Sequence, residues 1–408
     1  MVIPTLNRAR RLQEARQSVF AQHGSGEEFE TEVIVVDDGS SDKTADVVAN
    51  HRKARYIRLR ANRGSAAARN AGVRAGSGEY VAFLDDDDIL LPHKLKQQMT
   101  VLQMRPEVGA AYSPCIVRSE GREKVIPRGG RGPSGFVLNA LAKGNLAPIH
   151  GYLLRRSAVE RAGYFDEQLP CYMDWDLWLR IALHSPFIFV PGPVGIYRFS
   201  PHGLLGAAED HGKGGLAHRR IMEKLRDLLE DSTAPPEMVR EVRAWTELVL
   251  TRYLVPEQLA LAQSQFLAAL QTHPGLVREA RARQEIAQII SGMAFASSAP
   301  ISFTCTLNDK IKRRIPQAGI GQQIAFAGLF SDVWTRVAWG LSVHPDANDR
   351  IVARTAALAL LYDPTKIRRK SLLQFIARQV VGRRQADAVA RLLQRKRREI
   401  RPLDRIGN

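Results

Sequence analysis

Covalent and membrane restraints are scarce in this 408-residue sequence. Its three cysteines, Cys115, Cys171 and Cys305, are odd in number and widely spaced, which argues against a disulfide framework and matches no zinc-ligand pattern. A reducing compartment, the cytoplasm, is therefore expected. No stretch reaches the roughly 18–20 uninterrupted apolar residues of a membrane span. The opening run Met1–Arg8 has no apolar core of signal-peptide length, so a soluble or peripheral protein is expected. Repeats of fixed period and low-complexity tracts are lacking too. Acidic residues are in deficit, 42 against 59 Lys and Arg, and the net charge is +17. The deficit is uneven: residues 1–210 hold 24 acids and 27 bases, residues 301–408 only 8 acids and 21 bases.

What remains is ordinary globular composition, 45% hydrophobic and 25% charged, which excludes a mainly disordered or fibrous chain. The length suits two or three domains. The first 200 residues alternate short apolar runs with helical patterns, the signature of an α/β domain. Val33–Val36, Tyr56–Leu59 and Tyr80–Leu84 read as strands, with helices predicted near 8–22, 42–51 and 64–76. Asn7 and Ser41 or Asp42 are the candidate N-caps. The Gly, Pro and Arg content of 118–135 predicts a long loop. A strand is expected at 150–154, a helix from about Asp174, and a further strand at Phe187–Val190. Glycines at 203, 206, 212, 214 and 215 mark a boundary, beyond which the periodicity is helical, broken at Pro235-Pro236 and 297–300.

Two strands end in consecutive acids, where an open parallel sheet binds its ligands. Four aspartates in a row, Asp85–Asp88, raise each other's pKa, and a divalent cation removes that cost. An all-carboxylate site favours Mg²⁺ or Mn²⁺ over zinc. An acidic loop before the helix opened by Pro92 is the competing explanation. Asp37-Asp38-Gly39-Ser40-Ser41-Asp42 is either a second part of a site or plain turn chemistry. Asn62–Gly72 combines small residues, which allow close backbone approach, with Arg63 and Arg69, whose forks suit phosphate oxygens. A tightly packed helix explains the same residues. Asp174 and Asp176 open a helix with Trp175, Trp178, Leu179 and Ala182 at helical spacing; either acid could cap it or act as a general base.

In order, these pieces resemble the nucleotide-sugar-dependent glycosyltransferases of family 2. The matching elements are Val2–Arg8, Val35–Asp42, Asn62–Gly72, Phe83–Asp88, Gly163–Glu167 and Asp174–Arg180, so the resemblance spans about 1–205. It implies a GT-A fold: a Rossmann-like, mostly parallel sheet covered by helices, here at 1–205, followed by an all-α basic C-terminal region. A helical region is expected at 206–300 and a basic helical one at 301–408. The resemblance also implies an inverting enzyme of hexosyltransferase type that needs Mn²⁺ or Mg²⁺. By it, Asp38 would read the nucleobase, uracil in first place, with Pro4, Thr5 and Asn7 as pocket wall. Asp85 and Asp87 would hold the metal, and Asp86 would lie near ribose and sugar. Arg69 would contact the diphosphate, and Asp174 would be the base.

Three positions depart from the family pattern. Met173 stands where a glutamate usually precedes the base. Tyr197-Arg198 is followed by Phe199 and Ser200, with the next histidine, His202, two places late. The first strand has only Val2 and Ile3 before Pro4, which predicts a start several codons upstream or an unusually weak strand.

The tail carries Lys310–Arg314, Lys366–Lys370 and Arg395–Arg398, with apolar helical stretches such as Ser371–Ala377 between them. It is either a helical appendage packed on the catalytic domain or a surface that adsorbs to anionic membrane, each basic residue near lipid adding about 1 kcal/mol. No recognition motif supports nucleic acid as a partner. The expected partners are a nucleotide-sugar donor and a glycan or lipid-linked acceptor, on a cytoplasmic protein that can sit peripherally on the membrane's cytoplasmic face. A catalytically silent nucleotide-sugar-binding adaptor is the alternative. A nucleotidyltransferase would need a Gly-rich phosphate loop where Pro4-Thr5-Leu6-Asn7 stands.

Overall fold

The computed structural model describes residues 1–49, 54–119, 122–199, 213–255, 258–297, 300–314 and 329–337. The most apolar run becomes strand β2 (Val33–Asp37), flanked in parallel by β1 (Val2–Thr5) and β3 (Ala54–Arg58). Val33 and Val35 join Ile3, Leu12, Ala15, Val19 and Val48 in one core, under α1 (Ala9–Phe20) and α2 (Thr44–Ala49). Ile34 and Val36 point the other way, toward α3 (Ser65–Ala75) and its C-cap. Both faces of β2 are covered, which is why its sequence is continuously apolar.

Strand β1 is short but buried along its length and paired on both sides. Four register pairs join it to β2. On the other edge the Val2 amide donates to the Ala82 carbonyl (2.9 Å) and the Leu84 amide to the Val2 carbonyl (3.1 Å). The expected strand 80–84 is thus divided: β4 (Tyr80–Val81) pairs with β9 (Tyr152–Arg155), and 82–84 turns to β1. Helix α3 lies close against this sheet through Ala66, Ala67, Ala68 and Gly72. A Cβ at Gly72 would overlap Val2 Cγ1, so glycine is what lets the helix, and Arg69 with it, approach the strand ends.

A second sheet has the order β10 (Phe187–Phe189), β6 (Ala110–Tyr112), β9, β4, and packs on α4 (Lys94–Met104) through Ala82, Leu95, Leu102, Val108, Ala111 and Leu153. A third runs β5 (Ile89–Leu90), β11 (Gly195–Arg198), β7 (Cys115–Ser119), β8 (Arg122–Ile126). The last pair corrects the expected loop at 118–135. Residues 115–119 and 122–126 form an antiparallel ladder, with Arg118 opposite Glu123 and paired to it at 2.8 Å. Strand β8 is an exposed edge that begins with three charged residues, Arg122, Glu123 and Lys124, so it carries no apolar alternation to read.

Short helices α5 (Leu138–Ala142) and α6 (Arg156–Arg161) precede α7 (Met173–Ala182). Beyond the glycine cluster the described residues are helical: α8 (Lys213–Leu228), α9 (Pro236–Thr251), α10 (Leu259–Thr272), α11 (Ala280–Ala296) and α12 (Pro300–Arg314). Two of them begin at a proline, whose missing amide is harmless in a first turn. Contacts divide the chain into two compact units, Met1–Arg243 and Ala244–Asn408. No described helix is long and apolar enough to cross a membrane.

Asn7 does not cap α1. It adopts a positive φ of 53° and its Oδ1 accepts the Ser41 amide at 2.8 Å. Asp42 serves both helices instead, accepting the Ala9 amide on Oδ2 (3.1 Å) and the Thr44 amide on Oδ1 (3.0 Å).

Candidate active site

The acid run follows the 82–84 segment, at the carboxyl end of the sheet, and its four carboxylates diverge. Asp86 and Asp88 turn inward and are buried. Asp86 accepts the Thr5 hydroxyl (2.7 Å) and Arg8 Nη1 (3.0 Å). Asp88 accepts the Arg198 amide (2.8 Å) on Oδ1 and sets Oδ2 3.1 Å from Nδ1 of the fully buried His150. Asp85 and Asp87 keep more of their side chains exposed, 29% and 16%. Arg69 Nη2 lies 2.5 Å from Asp85 Oδ1, and Arg8 Nη1 donates to Asp87 Oδ2 at 2.8 Å. The run therefore alternates: two acids hold the loop and two address the cleft.

Burial and the nearby Asp88, Asp85 and Asp86 carboxylates push Asp87 up to about 6, against the pull of Arg8. Burial also raises Asp86, with Thr5 and Arg8 opposing. Hard oxygen donors with an anionic surplus of this kind fit a Mg²⁺ or Mn²⁺ ion, with Asp85 and Asp87 as the side chains that could hold it. Among the described residues no three His, Cys, Asp or Glu side chains converge, so water and phosphate oxygens would supply the other ligands.

Arg69 is 5% exposed, and its Nε and Nη1 have no hydrogen-bond partner. Its guanidinium lies 5.7 Å from the Phe165 ring centroid, and Phe165 packs edge-on against Phe83. Asn70, next to Arg69 on α3, exchanges hydrogen bonds with both the amide and the carbonyl of Phe165 (2.9 and 3.0 Å) and donates to Glu167 (2.9 Å). The 163–167 segment thus seats an aromatic wall beside the guanidinium.

Asp38 accepts the Arg63 amide on Oδ1 (2.7 Å) and the Gly64 amide on Oδ2 (2.8 Å), so it ties the end of β2 to the start of α3. Asp37 accepts the Ser40 amide (2.7 Å) and the Tyr56 hydroxyl (2.5 Å). Pro4 and Thr5 are buried on β1, and the Asn7 backbone and side chain are engaged by Ser40 and Ser41.

At the head of α7 the two acids separate. Asp176 is 1% exposed and bound by Arg180 (2.6 Å) and Lys224 (2.9 Å), the latter also reaching Asp166 (2.6 Å). It is a scaffold group. Asp174 lies within electrostatic reach of Asp85 and Arg69: burial raises its pKa and Asp85 adds to this, while the Trp175 amide, Arg69 and Asn145 oppose. A carboxylate whose pKa is raised but still answered by donors suits a base. Met173 is buried beside it, and His202 lies outside the described residues.

Arg8, Asn145, His150 and Tyr152 are the contacts that sequence reasoning did not assign. Only Arg8 left a signal, a lone base in the loop after β1 where the acids of a neighbouring strand end need a counter-charge.

Residues 1–162 match the sequence model of glycosyl transferase family 2. A stretch of 189 residues is 33% identical to an uncharacterized glycosyltransferase of Nostoc sp., covering 44% of this chain and 55% of that protein. An uncharacterized protein of Mycobacterium tuberculosis is 26% identical over 263 residues, 60% and 79% of the two chains. The first curated relatives are spanned over 32% to 60% of their length. Among solved structures, Staphylococcus aureus TarS 1–349 in complex with UDP-GlcNAc shares the fold at a TM-score of 0.50 and 17% identity, over 78% of this chain and 92% of that one.

Proposed function

We propose, from the match of residues 1–162 to the sequence model of glycosyl transferase family 2, that this chain transfers a sugar from a nucleoside-diphosphate donor to an acceptor hydroxyl with inversion. Arg69 carries the reading. A buried guanidinium with two unpartnered nitrogens is costly, about 1–3 kcal/mol or more for a charged group, unless a ligand supplies acceptors. Diphosphate oxygens do so with matching charge and geometry.

In the reaction Asp174 takes the proton of the acceptor hydroxyl, whose oxygen attacks the anomeric carbon. The bond from that carbon to the diphosphate breaks, and its electron pair leaves with the nucleoside diphosphate. Arg69 orients the diphosphate, and Asp85 and Asp87 would hold the divalent cation. When bound, that cation neutralises charge on the leaving group. Asp86, buried behind them with Thr5 and Arg8, is assigned to the ribose and sugar through the Arg8 side chain it orients. Asp38 and the wall formed by Pro4, Thr5 and Asn7 are assigned to the nucleobase, uracil first. Both Asp38 oxygens already accept amides, yet each keeps a lone pair for a base N–H. The catalytic domain is assigned to 1–205 and the acceptor to glycans, lipid-linked glycans or glycoproteins. The basic segment 301–408 is assigned to an anionic membrane surface. Of that segment the described residues include α12, which ends at Arg314; 366–370, 371–377 and 395–398 lie outside them.

Thermal unfolding with UDP, GDP, dTDP or CMP, each with Mn²⁺ or EDTA, tests the donor site. One nucleoside diphosphate is expected to stabilise the fold with Mn²⁺ alone, by about 2.7 kcal/mol at 100 times its dissociation constant. The pH dependence has a fixed sign. The cation needs ionised Asp87, and without metal this group titrates at about 6. Stabilisation should be level from pH 7 to 8 and fall below pH 6, affinity dropping roughly tenfold per unit as protons compete. Stabilisation in EDTA, or undiminished at pH 5, would contradict the assignment.

A further inference from the structure

The loop between α5 and the single 3₁₀ turn Ile149–Gly151 places one side chain against the base. Asn145 Nδ2 donates to Asp174 Oδ2 at 2.8 Å, and the Tyr152 hydroxyl donates to Asn145 Oδ1 at 3.1 Å. The carboxylate is acceptor-only, so it fixes which end of the amide faces it, and the rotatable hydroxyl completes the other end. Both ends of the chain of contacts are anchored to α7. Tyr152 stacks on Trp178, one turn along that helix from Asp174, with ring centroids 4.4 Å apart. Trp175 Nε1 donates to the Leu141 carbonyl at 2.7 Å, four residues before Asn145. The backbone carbonyl of Tyr152 is itself held by the buried Lys94 at 3.0 Å. Burial, with Asp174 and Tyr112 nearby, keeps the Tyr152 hydroxyl well above its ordinary range, so it remains a donor.

We propose that Asn145 is a positioning residue for the base: oriented by Tyr152, its amide holds the Asp174 carboxylate ionised and fixed in rotation toward the cleft. This rests on Asp174 being the base. The other groups acting on Asp174 are Arg69 from α3, Asp85 from the acid run, the Trp175 amide of its own helix, and Tyr152 and Tyr197 from β9 and β11. Of these groups Tyr152 is the one hydrogen-bonded to Asn145, and Tyr152→Phe controls for it, so a change in Asp174 titration reports this contact. Asn145 is exposed, so Asn145→Ala is expected to fold as the wild type does, which its thermal unfolding checks.

The test follows the carboxyl carbon of Asp174 by NMR in the full chain labelled with [4-¹³C]aspartate, its resonance identified by its absence in Asp174→Asn. In Asn145→Ala the titration midpoint is expected to rise by about half a unit or more, because a hydrogen bond to the charged form is lost. Tyr152→Phe, which keeps the stacked ring, should shift it the same way by less. With UDP-sugars and Mn²⁺, nucleotide release by Asn145→Ala should lose about tenfold or more in kcat with donor KM unchanged, and the acid limb of its pH profile should rise with the NMR midpoint. An unmoved midpoint overturns the proposal, as does a moved midpoint with unchanged kcat while Asp174→Asn is inactive. If Asp174→Asn itself turns over normally, the base reading has failed, and the NMR midpoint alone still decides whether Asn145 holds the carboxylate.

Discussion

Replacing Asp174 with asparagine is expected to lower transfer by about 10²–10⁴-fold while donor affinity stays within a few-fold of wild type. The substitution is isosteric and removes only the ability to accept a proton. The donor contacts proposed above lie on Arg69 and the acid run, on α3 and the loop after the 82–84 segment, and none is assigned to α7. Asp176 cannot substitute for it. Its two oxygens are held by Arg180 and Lys224, and it is 1% exposed, so it has no path to an acceptor. Steady-state release of nucleoside diphosphate, with nucleotide affinity measured separately, separates the two effects. Turnover within a few-fold of wild type would remove Asp174 from the mechanism.

Asp87→Asn should have an equally large effect of a different kind. Nucleotide stabilisation by Mn²⁺ should vanish, a loss of about 2.7 kcal/mol at 100-fold saturation. The unliganded protein should be no less stable, and more stable at pH 7 and above. The sign follows from the raised carboxyl. Asp87 binds its proton more tightly when folded than when unfolded, so ionising it between about pH 4 and 6 costs folding stability. A neutral amide does not incur that cost, and Arg8 keeps Asp86 as its partner at 3.0 Å. Gain without ligand and loss with ligand, in one variant, distinguishes a cation site from a structural acid. A variant destabilised in both conditions would show that Asp87 holds the loop instead.

Much of this site could be read from the sequence because its parts lie at the ends of strongly apolar strands. Val33–Val36 announces β2, and the acids after it must lie where the strand stops. The i, i+2 alternation of the four aspartates was less legible. Which pair faces the cleft depends on Thr5, Arg8, Arg198 and His150, each brought from another element. The choice between Asp174 and Asp176 was open for the same reason. Only the fold delivers Lys224, 48 residues away, to Asp176. The pairing of 115–119 with 122–126 escaped reading because a charged edge strand is held by its ladder and not by burial. Asn145 lies in a loop with no motif, and its role exists only through Tyr152 and Asp174.

The most direct measurement is the anomeric configuration of the first product. A panel of UDP-, GDP- and dTDP-sugars with α-linked anomeric carbons would be incubated with the full chain and Mn²⁺ and followed by ¹H NMR, with water as acceptor. One donor is expected to be consumed, and the reducing sugar to appear first as the β-anomer before mutarotation, with Asp174→Asn silent. Release of the α-anomer first would contradict single displacement by Asp174, and equal hydrolysis by Asp174→Asn would remove Asp174 from it.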